Sequence, residues 1–154
     1  MPGLAKPGIC LLRSNMKKLL TLSFVPRCTD LGLLVLRLTL GLAMIWLHGL
    51  GKLKGFSQMS GQFPSVFGLG SSTSLVLAII GEVVLPTLIV VGLFTRFAAL
   101  GATITMAVAY FVIHGGALSG QNSGEMAFLY MVGFGALIFS GAGRHSLDAK
   151  LGNG

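Results

Sequence analysis

Residues 37–52 read RLTLGLAMIWLHGLGK, an apolar stretch of helical length that nevertheless carries an arginine, a histidine and a lysine. At 3.6 residues per turn, one face of a helix would carry Arg37, Gly41, Met44, His48 and Lys52. The other faces carry Leu, Ala, Ile and Thr. Ionisable groups are costly inside a bilayer, so they normally face protein or a wet cavity. We therefore expect a membrane-embedded helix whose charged face points into a helix bundle.

The composition of the whole chain is that of a membrane protein. The 154 residues are 53% hydrophobic and 10% charged, with a mean hydropathy of +0.86, whereas soluble domains carry about 25% charged residues. The length predicts one domain. Basic residues that flank apolar segments on the inner side of a membrane explain the net charge of +7 better than nucleic-acid binding does. The expected partner is thus the lipid bilayer, and no nucleic acid is expected.

The cysteines exclude two kinds of chemistry. Cys10 and Cys28 both precede the first apolar segment, and the sequence has neither a C-x-x-C motif nor a zinc-binding spacing. Redox chemistry by the chain's own thiols is not expected, and no metal site is predicted from them.

Residues 1–30 are polar, basic and interrupted by prolines, and we interpret them as a cytoplasmic lead. Because residues 16–20 resemble a bacterial translation start, residues 1–15 are interpreted as an upstream extension. The rival interpretation is a signal peptide whose apolar region is 19–25. That region has the minimum length, and residues 26–28 offer no small-residue cleavage site.

Four apolar segments follow the lead, and they predict an all-α fold, a four-helix transmembrane bundle. Each approaches the roughly 20 residues needed to cross about 30 Å of hydrocarbon. Backbone polar groups in lipid must be satisfied within the segment, which favours helices. The predicted membrane domain is 31–148 and the C-terminal tail is 149–154. The predicted helices are about 31–50, 73–93, 97–113 and 125–142.

The distribution of Lys and Arg predicts the orientation of the bundle. Two basic residues, Lys52 and Lys54, fall in an outer loop, and Arg37 lies within the membrane. The inner side would carry the other eight: Lys6, Arg13, Lys17, Lys18, Arg27, Arg96, Arg144 and Lys150. We therefore expect the N-terminus and the C-terminus to be cytoplasmic.

The connections between the segments differ in length. Residues 94–96 form a tight turn, so the second and third helices should be antiparallel neighbours. The 51–72 loop is longer and rich in glycine, yet it is too apolar for a free linker. We interpret it as a half-buried segment that caps the outer face of the bundle.

Glu82 is the most informative single residue, because it is an acid near the middle of the second segment. Pro86 removes the hydrogen bond to the carbonyl of Glu82, so an irregular helix is expected beside the carboxyl group. From the inner ends of their helices, Arg37 lies about 9 Å deep and Glu82 about 16 Å deep, at 1.5 Å per residue. We expect Arg37 and Glu82 to be neighbours that face away from lipid. The pair would either lock two helices or line a polar site.

Three other ionisable residues should converge in the outer half of the membrane. His48 lies near the outer end of the first helix, His114 closes the third, and Glu125 opens the fourth. They predict a shared polar pocket with Lys52 just above it. The alternatives are an interfacial anchor for His114 and a favourable helix N-terminal charge for Glu125. No H-x-x-x-H motif supports a metal site, and none is predicted.

Several short motifs, in their order across the four apolar segments, resemble the DoxX family of small membrane proteins. The resemblance covers residues 33–148. The residues that carry it are Arg37 with Gly41, His48-Gly49 followed by Lys52, Gly81-Glu82, Gly92-Leu93-Phe94-Thr95-Arg96, His114, Glu125, Gly141-Ala142-Gly143-Arg144 and Ser146-Leu147-Asp148.

The resemblance implies a multi-pass protein of the bacterial cytoplasmic (inner) membrane. The family takes its name from a subunit of a thiosulfate:quinone oxidoreductase, which implies an accessory or quinone-interacting subunit with oxidoreductase partner subunits. Quinone is the candidate cofactor and a homo-oligomer a candidate assembly. An activity of the chain's own stays open, and no catalytic residue is assigned. The candidate cofactor-binding residues are Arg37, His48, Glu82, His114 and Glu125.

Two functions of other classes stay open beside this one. A passage protein for small solutes or ions would need oligomers, because four helices enclose too narrow a space. A structural or assembly factor would use its buried charges only to lock helices together.

Overall fold

Helices dominate the part of the chain that the computed structural model describes, which is residues 28–152 together with Met16 and Leu20. The predictions for the lead before residue 28 fall almost entirely outside this part. No strand occurs among the described residues. The helices are α1 (Thr29–Lys54), α2 (Phe56–Met59), α3 (Ser71–Val91), α4 (Thr95–Ile113), α5 (Glu125–Ser140) and α6 (Leu147–Lys150).

Three of these helices are long and apolar enough to cross a membrane. α1, α3 and α4 have 26, 21 and 19 residues. α5 is also apolar, but its 16 residues extend only about 24 Å at 1.5 Å per residue, against a hydrocarbon thickness of about 30 Å. It ends at Gly141, whose φ of +72° is in the left-handed region and turns the chain away. The architecture is therefore three spanning-length helices plus a shorter apolar helix.

The helices run alternately up and down, which gives the bundle two distinct ends. Thr29, Val91, Thr95 and Ser140 lie at one end, which we call the terminal end because the C-terminal segment packs there. The opposite end, where Lys54, Ser71, Ile113 and Glu125 lie, is the loop end.

α1 continues further towards the loop end than the sequence predicted, to Lys54 rather than residue 50. The chain then forms α2 and folds back over the bundle, where the Val66 N–H donates to Ser74 Oγ at 3.0 Å. Phe56 and Phe63 are half-buried in this segment, while Phe67 is exposed. The interpretation of the loop as a half-buried cap is confirmed for most of its apolar residues.

Each of the three long helices contains one π turn: Ile45–Gly49 in α1, Ile80–Val84 in α3 and Ala109–Ile113 in α4. A π turn closes hydrogen bonds from residue i to i+5, and such turns are frequent at functional sites. The turn in α3 directly precedes Pro86, which is where the missing proline N–H predicted an irregular helix.

The π turns of α1 and α3 lie against each other, and Gly49 makes this possible. A Cβ atom at Gly49 would lie 2.7 Å from the carbonyl oxygen of Glu82, closer than van der Waals contact allows. Glycine is therefore required where the two irregular turns cross.

The helices pack tightly at the terminal end and separate towards the loop end. Ile89, Ala98, Ala102, Phe134 and Leu137 form the centre of a buried core at or near the terminal end.

The two halves of α3 make different contacts. Its second half, Leu85–Val91, packs on both α1 and α4. Its first half, Ser71–Ile79, contacts mainly α2 and the last turn of α1. α3 and α4 thus diverge, and a space opens between them near the loop end.

Arg37 holds the terminal end together. Its side chain is 0% exposed, and its guanidinium donates to the carbonyl oxygens of Ile89 at 3.2 Å and His145 at 2.6 Å. These bonds join α1 to the end of α3 and to the segment before α6. The expectation that Arg37 and Glu82 are neighbours is wrong, although neither residue faces lipid, as predicted.

The direction of the side chains explains this error. In a helix the Cα–Cβ bonds tilt towards the N-terminus of that helix. In the antiparallel pair α1 and α3, Arg37 therefore leans to the terminal end and Glu82 to the loop end. The side chains therefore widen the difference in depth between the two residues and do not bridge it.

Asp148 completes the packing at the terminal end. Its carboxylate accepts the backbone N–H groups of Phe94 at 2.7 Å and Thr95 at 2.9 Å, and its own N–H donates to Gly92 O at 2.8 Å. Burial alone would raise the pKa of Asp148. The hydrogen bonds from Thr95 and Phe94 and the charge of Arg37 outweigh burial, so the pKa is lowered.

Replacing Gly49 by alanine should destabilise the bundle, because the new methyl group meets the Glu82 backbone, which cannot move aside. Overpacking of this kind costs about 1–3 kcal/mol. The matched control is Gly51→Ala in the same helix, where a Cβ meets nothing within 4 Å. Thermal unfolding in detergent should show a lower Tm for Gly49→Ala only; equal Tm values for both variants would contradict the close crossing.

Asp148→Asn should remove stability that depends on pH. A carboxylate whose pKa is lowered by folding stabilises the protein above its unfolded pKa of about 3.9. That stabilisation is lost as the pH falls through the folded pKa. The Tm difference between wild type and Asp148→Asn should therefore be constant at neutral pH and shrink in acid below about pH 4. Glu125→Gln, at an exposed carboxylate, is the control; a pH-independent difference for Asp148→Asn would contradict the assignment.

Candidate functional site

A cavity of about 720 Å³ occupies the space where α3 and α4 separate. Its size lies within the roughly 300–1,000 Å³ typical of small-molecule sites. The walls come from α1, α3, α4 and α5, and the loop residues Phe63–Leu69 cover it. Most lining residues are apolar. The polar exceptions are His48, Lys52, Ser74, Glu82, Thr105, His114, Ser123 and Tyr130.

An ion pair between Lys52 and Glu82 forms the charged part of the cavity lining. Lys52 Nζ lies 2.5 Å from Glu82 Oε2, and the two side chains are 22% and 8% exposed. The sequence assigned Lys52 to the outer surface, just above the pocket, and this was wrong. α1 extends to Lys54, and Lys52 leans back towards the terminal end while Glu82 leans towards the loop end.

The π turns present both histidine and glutamate to the cavity. His48 lies within the π turn of α1 and Glu82 within that of α3. The imidazole of His48 meets the ring of Tyr130 edge-on, with centroids 5.4 Å apart and an interplanar angle of 84°. His48, Lys52 and Glu82 thus form one polar cluster beside an aromatic side chain.

Tyr130 lines the cavity but was missed by the sequence analysis. It is buried in the middle of α5 and stacks on Phe134. The available signal was a tyrosine within an otherwise apolar helix, because a buried phenol needs a polar surrounding.

The other two predicted residues have different positions. His114 lines the cavity at the end of α4, and its Nδ1 lies 3.2 Å from Asn122 Oδ1. Glu125 is exposed at the first position of α5 and does not line the cavity. This position fits the alternative of a favourable charge at a helix N-terminus. The predicted shared pocket therefore contains both histidines and lacks Glu125.

Arg37 is not among the cavity-lining residues either. It lies at the terminal end, and its guanidinium donates to two backbone carbonyls there. Of the five candidate cofactor-binding residues, His48, Glu82 and His114 share the cavity. Within the described part of the chain, no three His, Cys, Asp or Glu side chains are grouped closely enough to hold a metal.

Comparison with known proteins identifies a family that this chain matches. The DoxX family model matches residues 32–115. That range includes nearly all of α1, then α3, α4 and the covering loop, and hence His48, Lys52, Glu82 and His114. The motifs quoted above from Glu125 onwards lie outside the matched range.

Two relatives in Haemophilus influenzae (strain ATCC 51907 / DSM 11121 / KW20 / Rd) are uncharacterized proteins. The first is 39% identical over 116 residues, 70% of this chain and 81% of the relative. The second is 35% identical over 111 residues, 67% of this chain and 72% of the relative. No solved structure matches. Since the family model covers more than half of the chain, this apolar helical protein is a membrane protein of the DoxX family.

Proposed function

We propose that the cavity binds a lipophilic molecule with a small polar head, that this molecule is a quinone, and that the chain is an accessory subunit of a membrane oxidoreductase system. The observation that carries the proposal is the polar cluster His48, Lys52 and Glu82 in the wall of a largely apolar cavity. Small-molecule sites combine apolar walls with a few convergent polar groups in this way.

The residues present fit a quinone head group. Its ring and tail need apolar walls, which Met44, Leu77 and Met106 supply among others. Its carbonyl oxygens need donors: an ammonium group has three N–H donors, and Lys52 directs one to Glu82. The imidazole of His48 can donate or accept beside it. A bound quinone supplies the chemistry of carrying electrons and protons together within hydrocarbon.

The position of the cavity favours entry from the bilayer. Leu77 and Ile80 of α3 and Ile104 of α4 line the cavity and are themselves exposed, so the cavity is open between these two helices. In a membrane these exposed apolar residues would contact lipid. A lipophilic ligand can therefore pass between α3 and α4 without crossing water, and its head group would then meet the polar cluster.

The proposed topology has α1, α3, α4 and the shorter α5 embedded across the cytoplasmic membrane of a bacterium, with both termini in the cytoplasm. Arg96, Arg144 and Lys150 belong to the terminal end, whereas Lys54 lies at the loop end. This asymmetry follows the rule that basic residues stay on the cytoplasmic side. The cavity then lies in the outer half of the membrane.

Filling the cavity should abolish quinone binding. Ala78 lines it, so Ala78→Phe places a ring in the space that the ligand needs. We expect the affinity for a photoreactive short-tailed benzoquinone in nanodiscs to fall at least about tenfold, which corresponds to about 1.4 kcal/mol. Ala136→Phe, on the exposed face of α5, is the control and should bind as wild type.

The labelling should be saturable in the wild type and should map to peptides that contain Lys52 or Ile104. Unsaturable labelling that is equal in wild type and Ala78→Phe would indicate simple partition into lipid and would reject the quinone site.

The accessory role predicts a stable partner in the membrane. Native mass spectrometry of the protein released from lipid nanodiscs should show a complex with a redox-cofactor-containing chain. A mass that corresponds only to copies of this chain would reject the subunit role while leaving quinone binding to be judged by the labelling experiment.

A further inference from the structure

We propose that the Lys52–Glu82 pair makes the cavity selective for head groups without net charge, so that neutral lipophilic molecules bind and fatty acids are excluded. This inference rests on the proposed function, because it assumes that the cavity takes a lipophilic ligand. It goes further by naming the class of head group and the residues that choose it.

The charges that face the cavity cancel. Among the described lining residues, Lys52 is the one cation and Glu82 the one anion, and the two are in direct contact. The remaining polar lining residues are uncharged when the histidines are neutral. The lining around the pair therefore has hydrogen-bonding groups but no net charge.

A pair of this kind disfavours charged ligands of either sign. The two side chains are largely removed from solvent, so a ligand carboxylate that approaches Lys52 also approaches the Glu82 carboxylate without water to screen the repulsion. Binding the ligand carboxylate to Lys52 would break the ion pair and leave the Glu82 carboxylate without a countercharge. This is strongly unfavourable in a buried site. A neutral carbonyl group needs only a free N–H of Lys52 and leaves the pair intact.

Selection by head-group charge matters because charged amphiphiles in the membrane compete for an apolar cavity. A cavity whose rim contacts lipid meets fatty acids and anionic phospholipids far more often than it meets a scarce neutral ligand. Tail chemistry cannot separate these molecules, because all of them have apolar chains. Net charge at the head group is the property that differs, and Lys52 and Glu82 are the charged residues that the described part of the chain presents to the cavity.

Removing one charge of the Lys52–Glu82 pair should change which class of head group the cavity binds. Glu82→Gln keeps the size of the side chain and leaves Lys52 as an uncompensated cation, so the cavity should gain affinity for a carboxylate. Lys52→Met leaves Glu82 alone and should favour a lipophilic amine instead. The double variant Lys52→Met/Glu82→Gln has no charge at this position and should again exclude both.

The test uses a fatty acid, an alkyl amine and a short-tailed benzoquinone of matched tail length, each with the same photoreactive group, in nanodiscs of net-neutral phospholipid. We expect saturable labelling by the fatty acid to increase at least about tenfold in Glu82→Gln relative to wild type and to return to the wild-type level in the double variant. Equal fatty-acid labelling of wild type and Glu82→Gln would overturn the inference.

The outcomes separate this inference from the proposed function. If the benzoquinone labels the wild-type cavity but fatty-acid labelling is the same in every variant, only the charge selection is rejected. If the benzoquinone does not bind and the fatty acid still gains in Glu82→Gln, the quinone proposal fails and the charge selection stands. If Glu82→Gln does not fold, alkyl-amine labelling of Lys52→Met tests the inference. Amine labelling that does not increase over wild type would then overturn it.

Discussion

The ion pair between Lys52 and Glu82 is the contact on which the loop end of this protein depends. A carboxylate near the middle of a membrane helix needs a partner, because hydrocarbon does not solvate it. To supply that partner, α1 continues to Lys54 and its side chain at residue 52 leans back into the bundle. Gly49 lets the two helices cross closely enough for the pair to form. The same pair then provides the charged groups of the cavity lining.

Arg37 and Lys52, two cations of α1, have separate roles. Arg37 is fully enclosed and donates to backbone carbonyls of α3 and of the segment before α6, so it fixes the terminal end. Lys52 remains partly exposed towards the cavity. The terminal end is thereby closed and well packed, while the loop end leaves space between α3 and α4. The terminal end is rigid and the loop end is open, which suits a site that a ligand must enter and leave.

Hydropathy was sufficient to predict the helical fold, and the cost of burying charge was sufficient to predict that Arg37 and Glu82 avoid lipid. The partners of these residues could not be predicted from depth alone, because side chains on antiparallel helices lean in opposite directions. The sequence correctly grouped His48 with His114 and missed Tyr130, whose place depends on how α5 packs. Glu125 was misplaced because its position at the start of α5 sets its depth but not the direction in which its side chain points.

The three π turns also affect how this chain is compared with its relatives. A π turn holds one more residue than an α turn, and each residue of an α-helix advances the chain by about 100° around the axis. Losing one residue between Ile45 and Gly49 would restore a regular helix and swing Lys52 away from Glu82. A relative that lacks such a turn must therefore be aligned with a gap inside the membrane helix. Gaps confined to the loops would pair cavity residues with lipid-facing ones.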